Sequence, residues 1–200
     1  MKRRVMLVFF NYANENDGLN NINMKKALFL DRDGIINVDH GYVYKSNDFE
    51  FVEGIFELCA TAIEKEYDIF VITNQAGIAR GLYTIADFEK LTVWMEDTFK
   101  RKGITLKKVY FCPHHPLKGN NEFKQICQCR KPQPGMIMQA HREFNIDLAN
   151  SILIGDKASD ILAAQAAGIG TQVLVESKYT EDVEVSAYRV KDVISARAYL

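Results

Sequence analysis

The chain has 200 residues, 48% of them hydrophobic, enough for one domain with a substantial core. Its 25 basic and 26 acidic residues leave a net charge of −1, which excludes the broad basic field that binds nucleic acid or an anionic membrane. No apolar run approaches the ~20 residues that span a bilayer, so a soluble protein is expected.

Residues 1–23 stand apart. Lys2-Arg3-Arg4 and the apolar stretch 5–10 imitate a signal peptide, but that stretch falls short of the usual ~7–15 residues. Asn11, Asn14, Asn16, Asn20, Asn21 and Asn23 then bring turn or disorder chemistry. Met24-Lys25-Lys26 directly precedes the first convincing strand. The expectation is an N-terminal extension, or a start at Met24, followed by one catalytic domain over 24–200.

From there short apolar runs alternate with amphipathic segments. The runs predict strands over 27–30, 69–73, 109–112, 151–154 and 171–175. Helices are predicted over 54–66, 85–102, 135–144, 160–167 and 193–199. This alternation predicts an α/β protein: a Rossmann-like parallel sheet flanked by helices on both faces, with no insertion long enough for a separate cap domain. Thr84 with Asp87 three residues on reads as a capping box, and Phe88, Leu91, Met95 and Phe99 as the core stripe of that helix. Gly168 reads as a helix-ending glycine. The irregular stretches 37–51 and 113–134 are over-long for plain connections and are candidates for function.

Four segments then deliver polar residues suited to phosphate chemistry. The first strand stops at Asp31-Arg32-Asp33-Gly34, where two carboxylates one residue apart call for a cation between them. The second ends in Thr73-Asn74-Gln75, a hydroxyl and two amides for phosphate oxygens. Arg130-Lys131-Pro132 supplies two cations. The fourth strand ends in Gly155-Asp156-Lys157-Ala158-Ser159-Asp160, in which Asp156 can complete a magnesium site and Asp160 reads as a helix cap.

In this order the segments resemble the four motifs of the haloacid dehalogenase (HAD) superfamily of magnesium-dependent phosphohydrolases, over about residues 26–175. The resemblance implies that Asp31 is a nucleophile forming an aspartyl-phosphate and that Asp33 is the general acid and then the base. It implies that Thr73 and Lys131 stabilise the phosphoryl group, and that Asp31, Asp156 and the main-chain carbonyl of Asp33 ligate Mg²⁺. Ile35 stands where the superfamily usually has Thr or Val, and keeps the β-branched shape.

Cys112-Pro113-His114 and Cys127-Gln128-Cys129 form two short pairs. Three thiolates and one imidazole are a tetrahedral Zn²⁺ set with no open position, hence structural; His115 is the alternative imidazole. Three cysteines crowded about two histidines favour metal over disulfides and suggest a reducing, cytoplasmic setting. Cys59, alone in a helical pattern, reads as a buried small hydrophobe. Cys129 runs straight into Arg130 and Lys131, so a metal there would fix the loop that aims both cations.

Within the superfamily, residues 31–34, 37–42, 73–81, 112–116 and 129–136 resemble the heptose bisphosphate phosphatases. That implies a small-molecule sugar bisphosphate substrate, loss of its C7 phosphate and service to ADP-heptose and lipopolysaccharide core synthesis. It implies substrate contacts at Asp39, His40, Gly41, Tyr42, Asn74, Gln75, Arg130 and Lys157, with Arg130 reading the second phosphate. A monomer without nucleic-acid or membrane partners is expected. The histidinol-phosphate phosphatases, which also carry a zinc loop, are the alternative.

Overall fold

Six strands form a wholly parallel sheet: β1 (Ala27–Leu30), β2 (Asp68–Asn74), β3 (Leu106–Cys112), β4 (Ile152–Gly155), β5 (Thr171–Val175) and β6 (Tyr188–Val190). They lie in the order β3-β2-β1-β4-β5-β6. The structure, a computed structural model, describes residues 24–119, 122–180 and 184–200. The expected extension at 1–23 lies outside them.

A parallel sheet covered on both faces needs strands that are apolar on both sides. β1 and β4 meet that need, with every residue buried. Side chains alternate along β1. Leu28 and Leu30 join a core with α1 (Ile55–Glu64) and α3 (Ile85–Arg101), while Phe29 joins one with α4 (Gly135–Phe144) and α5 (Ala158–Ala167). A single-turn helix, α2 (Ala76–Ala79), follows β2.

The five expected strands are present, with β2 and β3 longer than their apolar cores. The sixth, β6, is three residues with two of them exposed, too short and too polar to register as a pattern. The expected C-terminal helix over 193–199 is instead a 3₁₀ segment, Ile194–Tyr199, too short to gain from an α-helical ladder. At the start of α3 the Thr84 hydroxyl accepts from Asp87 N at 3.1 Å, and Asp87 Oδ2 accepts from Thr84 N at 2.9 Å. Phe88, Leu91, Met95 and Phe99 are buried beneath it. Gly168 ends α5 in the left-handed region. Cys59 is fully buried, and burial pushes its thiol pKa up to about 12.

From β1 the chain builds β2 and β3 to one side, then crosses back to build β4, β5 and β6 on the other. The switch falls between β1 and β4, the place where an open α/β sheet leaves a crevice beyond its carboxyl edge. Asp31 and Asp156 follow directly on those two strands, and Asp31 N donates to Ile154 O at 3.1 Å.

Candidate active site

Past Leu30 the chain folds back sharply, with the amides of Ile35, Ile36 and Asn37 all donating to Arg32 O. Gly34 makes the turn at φ +100°, and a Cβ there would lie 2.3 Å from Asp156 Oδ2. Glycine therefore lets the end of β1 close on the end of β4. Ile35, the departure from the superfamily pattern, is fully buried in the core.

The carboxylates of Asp31, Asp156 and Asp160 are buried with ligand oxygens within 4.8 Å of one another. Lys131 enters from the other side. Its Nζ donates to Asp31 Oδ1 at 2.8 Å and to Ile72 O at 2.8 Å, and it pairs with Asp160 Oδ1 at 2.7 Å. The first two are hydrogen bonds and the contact with Asp160 is an ion pair. Burial works against this charge, but Asp160 and Asp31 outweigh it and raise the Lys131 pKa.

Three carboxylates facing two ammonium groups, Lys131 and the half-buried Lys157, leave an excess of negative charge. Burial first, then the Asp31 carboxylate, pushes the Asp156 pKa up to about 7. Burial likewise raises Asp31, against the pull of Lys131. Neither Asp156 oxygen has a hydrogen-bond partner. Lys157 Nζ stands 3.5 Å from both Asp156 Oδ1 and Asp33 O, so these two oxygens already face one cation. Buried carboxylates without donors beside a main-chain carbonyl are the oxygen set of a hard divalent ion. Asp160 adds a cap, its Oδ2 accepting from Lys157 N at 3.0 Å. It joins the site as well, a role its four-residue spacing from Asp156 could have signalled.

Asp33 is held apart from that cluster. Its Oδ1 accepts from Arg32 Nη2 at 2.8 Å and Asn37 Nδ2 at 3.1 Å; its Oδ2 accepts from Arg32 Nη2 at 2.9 Å and Gln75 Nε2 at 3.2 Å. Gln75 Nε2 also donates to Thr73 Oγ1 at 2.8 Å, while Gln75 Oε1 accepts from Tyr83 OH at 2.6 Å. The Gln75 amide is thus spent on the protein. Asn74 is spent similarly: Oδ1 accepts from Lys131 N and Nδ2 donates to Lys131 O, each at 3.1 Å, which clamps the lysine backbone.

A cavity of about 290 Å³ opens over Asp33, and Asp39, Gly41, Tyr42, Asn74, Gln75 and Lys157 line it with Tyr83 and Tyr179. Two expected substrate contacts fall elsewhere. The left-handed turn at Gly41 leaves His40 facing outward, its Nε2 3.1 Å from Glu50 Oε2. Arg130 turns toward the cysteine loop, where Nη1 donates to His114 O at 3.1 Å. Burial would raise the Asp39 pKa, but Lys157, the Gly41 amide and the Tyr179 hydroxyl overcome it and hold it low. Tyr179 went unforeseen because it follows β5, whose end carries no charged motif.

Cys112, His114, Cys127 and Cys129 converge as expected. The Cys129 sulfur lies 3.2 Å from Cys112 Sγ, 3.3 Å from Cys127 Sγ and 3.4 Å from His114 Nδ1; Cys112 Sγ lies 3.5 Å from Cys127 Sγ. These are the edges of a small tetrahedron. The ring of His115 turns away, its Nδ1 accepting from the amides of Leu117 and Lys118 at 3.1 and 2.9 Å.

Residues 128–196 match the HAD-hydrolase-like family model. A D-glycero-beta-D-manno-heptose-1,7-bisphosphate 7-phosphatase of Vibrio cholerae serotype O1 is 48% identical over 172 residues, 85% of this chain and 92% of its own. The chain belongs to this phosphatase family. The Yersinia pestis heptose-1,7-bisphosphate 7-phosphatase is 49% identical over 151 residues, 76% of this chain and 80% of its own. The crystal structure of D,D-heptose 1,7-bisphosphate phosphatase from B. bronchiseptica, complexed with magnesium and phosphate, matches with a TM-score of 0.74 at 28% identity, covering 87% of this chain and 97% of that one. Membership of the heptose-bisphosphate phosphatase family makes the chain a phosphoric monoester hydrolase of HAD fold.

Proposed function

We propose that this chain is a magnesium-dependent phosphatase that removes the C7 phosphate of D-glycero-β-D-manno-heptose 1,7-bisphosphate and releases the 1-phosphate. One observation carries the reading: a buried carboxylate, Asp31, stands beside a second, Asp33, that is held on separate donors at the floor of a cavity. The anomer follows the relatives, which are named for β.

Asp31 attacks phosphorus, the bond from phosphorus to the C7 oxygen breaks, and the electron pair stays on that oxygen. The proton of the Asp33 carboxyl moves to it. The Asp33 carboxylate then takes a proton from the water that attacks the aspartyl-phosphate, which frees phosphate and restores Asp31. Lys131 and the Thr73 hydroxyl bind the phosphoryl oxygens, where stabilising charge is most of the task. Because Gln75 Nε2 donates to Thr73 Oγ1, the hydroxyl hydrogen is left to point at phosphate. Asp31, Asp156 and the Asp33 carbonyl would hold Mg²⁺, which supplies charge neutralisation for the phosphate dianion and keeps Asp31 ionised.

The Cys₃His set suits Zn²⁺ and leaves no open position, so its part is to pin the loop that runs into Arg130 and Lys131. Lys157, which lines the cavity beside Asp39 and Tyr179, is the cation for the second phosphate. The product serves ADP-heptose supply for the lipopolysaccharide core, made in the cytoplasm by a monomer whose catalytic domain is 24–200. Turnover of the β and α bisphosphates and of histidinol phosphate, followed by ³¹P NMR, tests this. The β anomer is expected to lead in kcat/KM by about tenfold or more; preference for histidinol phosphate would overturn it.

A further inference from the structure

Tyr83 touches neither the clustered carboxylates nor Lys131, yet the polar groups around it all run one way. Its hydroxyl donates to Gln75 Oε1 at 2.6 Å. With Oε1 so engaged, Nε2 faces Asp33 Oδ2 at 3.2 Å and Thr73 Oγ1 at 2.8 Å, the orientation that the acceptor-only carboxylate also demands. The ring itself fits only over a glycine, since a Cβ at Gly77 would meet Tyr83 Cε1 at 2.1 Å.

From this run of bonds we infer that Tyr83, acting through Gln75, is a positioning residue that aims the Asp33 carboxyl at the leaving oxygen. The inference rests on the acid role proposed above for Asp33. A general acid must lie within hydrogen-bond reach of the oxygen it protonates, and its contribution scales with how badly that oxygen needs the proton. An alkoxide needs it; a nitrophenolate hardly does. When Asp33 gives up its proton, the Gln75 amide is already aimed at the carboxylate that forms. Burial keeps the Tyr83 hydroxyl protonated, its pKa well above the ordinary tyrosine value, so the direction of the relay persists at working pH.

The test is kcat/KM for p-nitrophenyl, phenyl and benzyl phosphate in the magnesium-loaded wild type, Tyr83→Phe and Asp33→Asn. Tyr83→Phe keeps the ring over Gly77 and removes one oxygen. Its benzyl-to-nitrophenyl ratio is expected to fall about tenfold below wild type, and that of Asp33→Asn about a hundredfold or more. Equal losses on all three esters, or none, in Tyr83→Phe beside a steep Asp33→Asn would overturn the relay alone. A flat Asp33→Asn series would overturn the acid role itself. Gln75→Met breaks the same amide and reads the same ratio should Tyr83→Phe fold poorly.

Discussion

The two edges of the parallel sheet carry the same residue types and treat them oppositely. At the amino edge Lys25 and Lys107 meet Asp68 at 3.8 and 3.2 Å, with lysine side chains 60% and 38% exposed, beside a cavity of about 750 Å³. At the carboxyl edge Lys131 meets Asp31 and Asp160 at 2.8 and 2.7 Å, with no side chain more than 6% exposed. The cavity there is only about 290 Å³. The larger space thus belongs to solvated, paired charges, and the chemistry to the smaller one, where carboxylates outnumber the ammonium groups. Cavity size does not locate the site; uncompensated buried charge does.

Lys131 is where the contrast breaks most visibly. Lys131→Met strands two buried carboxylates and should cost about 3–5 kcal/mol in denaturant unfolding, with a loss in kcat of about a hundredfold or more. Lys107→Ala, measured alongside, removes only an exposed pair and should cost under about 1 kcal/mol with turnover unchanged. Similar costs for the two lysines would erase the distinction between the edges.

A smaller effect, in pH dependence, sharpens it. The Asp156 pKa of about 7 stands above the ordinary carboxylate value of 3.8, so the folded state holds that proton more tightly than the unfolded chain does. In metal-free protein its contribution to stability is therefore full near pH 4 and lost as pH rises to about 7. Wild type in EDTA should lose about 5 °C more in Tm over that window than Asp156→Asn, and magnesium at pH 7 should reverse the loss. Parallel Tm profiles for the two proteins would show that Asp156 carries no buried-charge cost.

What was legible in the sequence shares a physical cause. Asp31, Thr73 and Asp156 sit where apolar runs stop, and Lys131 follows a cysteine pair, so local pattern marks all four. Asn74 and Gln75 were legible as amides near phosphate but not in their partners. Residue type says what an amide can bond, not whether Lys131 or Asp33 will reach it before substrate does. Arg32 and Asn37 were legible as motif residues but not in their role, and Tyr83 gave no signal, because their part depends on the turn that folds 32–37 back over Asp33 and on a ring seated over Gly77. His40 and Tyr179 exchanged places for a like reason: the Gly41 turn leaves one facing outward, and a strand end without a motif brings the other in.

The claim at the centre is that phosphate passes to Asp31. Mixing the magnesium-loaded enzyme with the heptose bisphosphate, quenching in acid and reducing with borohydride converts an aspartyl-phosphate to homoserine, which peptide mass mapping can place. Homoserine is expected at residue 31, with residue 33 still aspartate, and none in Asp31→Asn. Homoserine at residue 33, or a first turnover of phosphate release with none at either position, would contradict it.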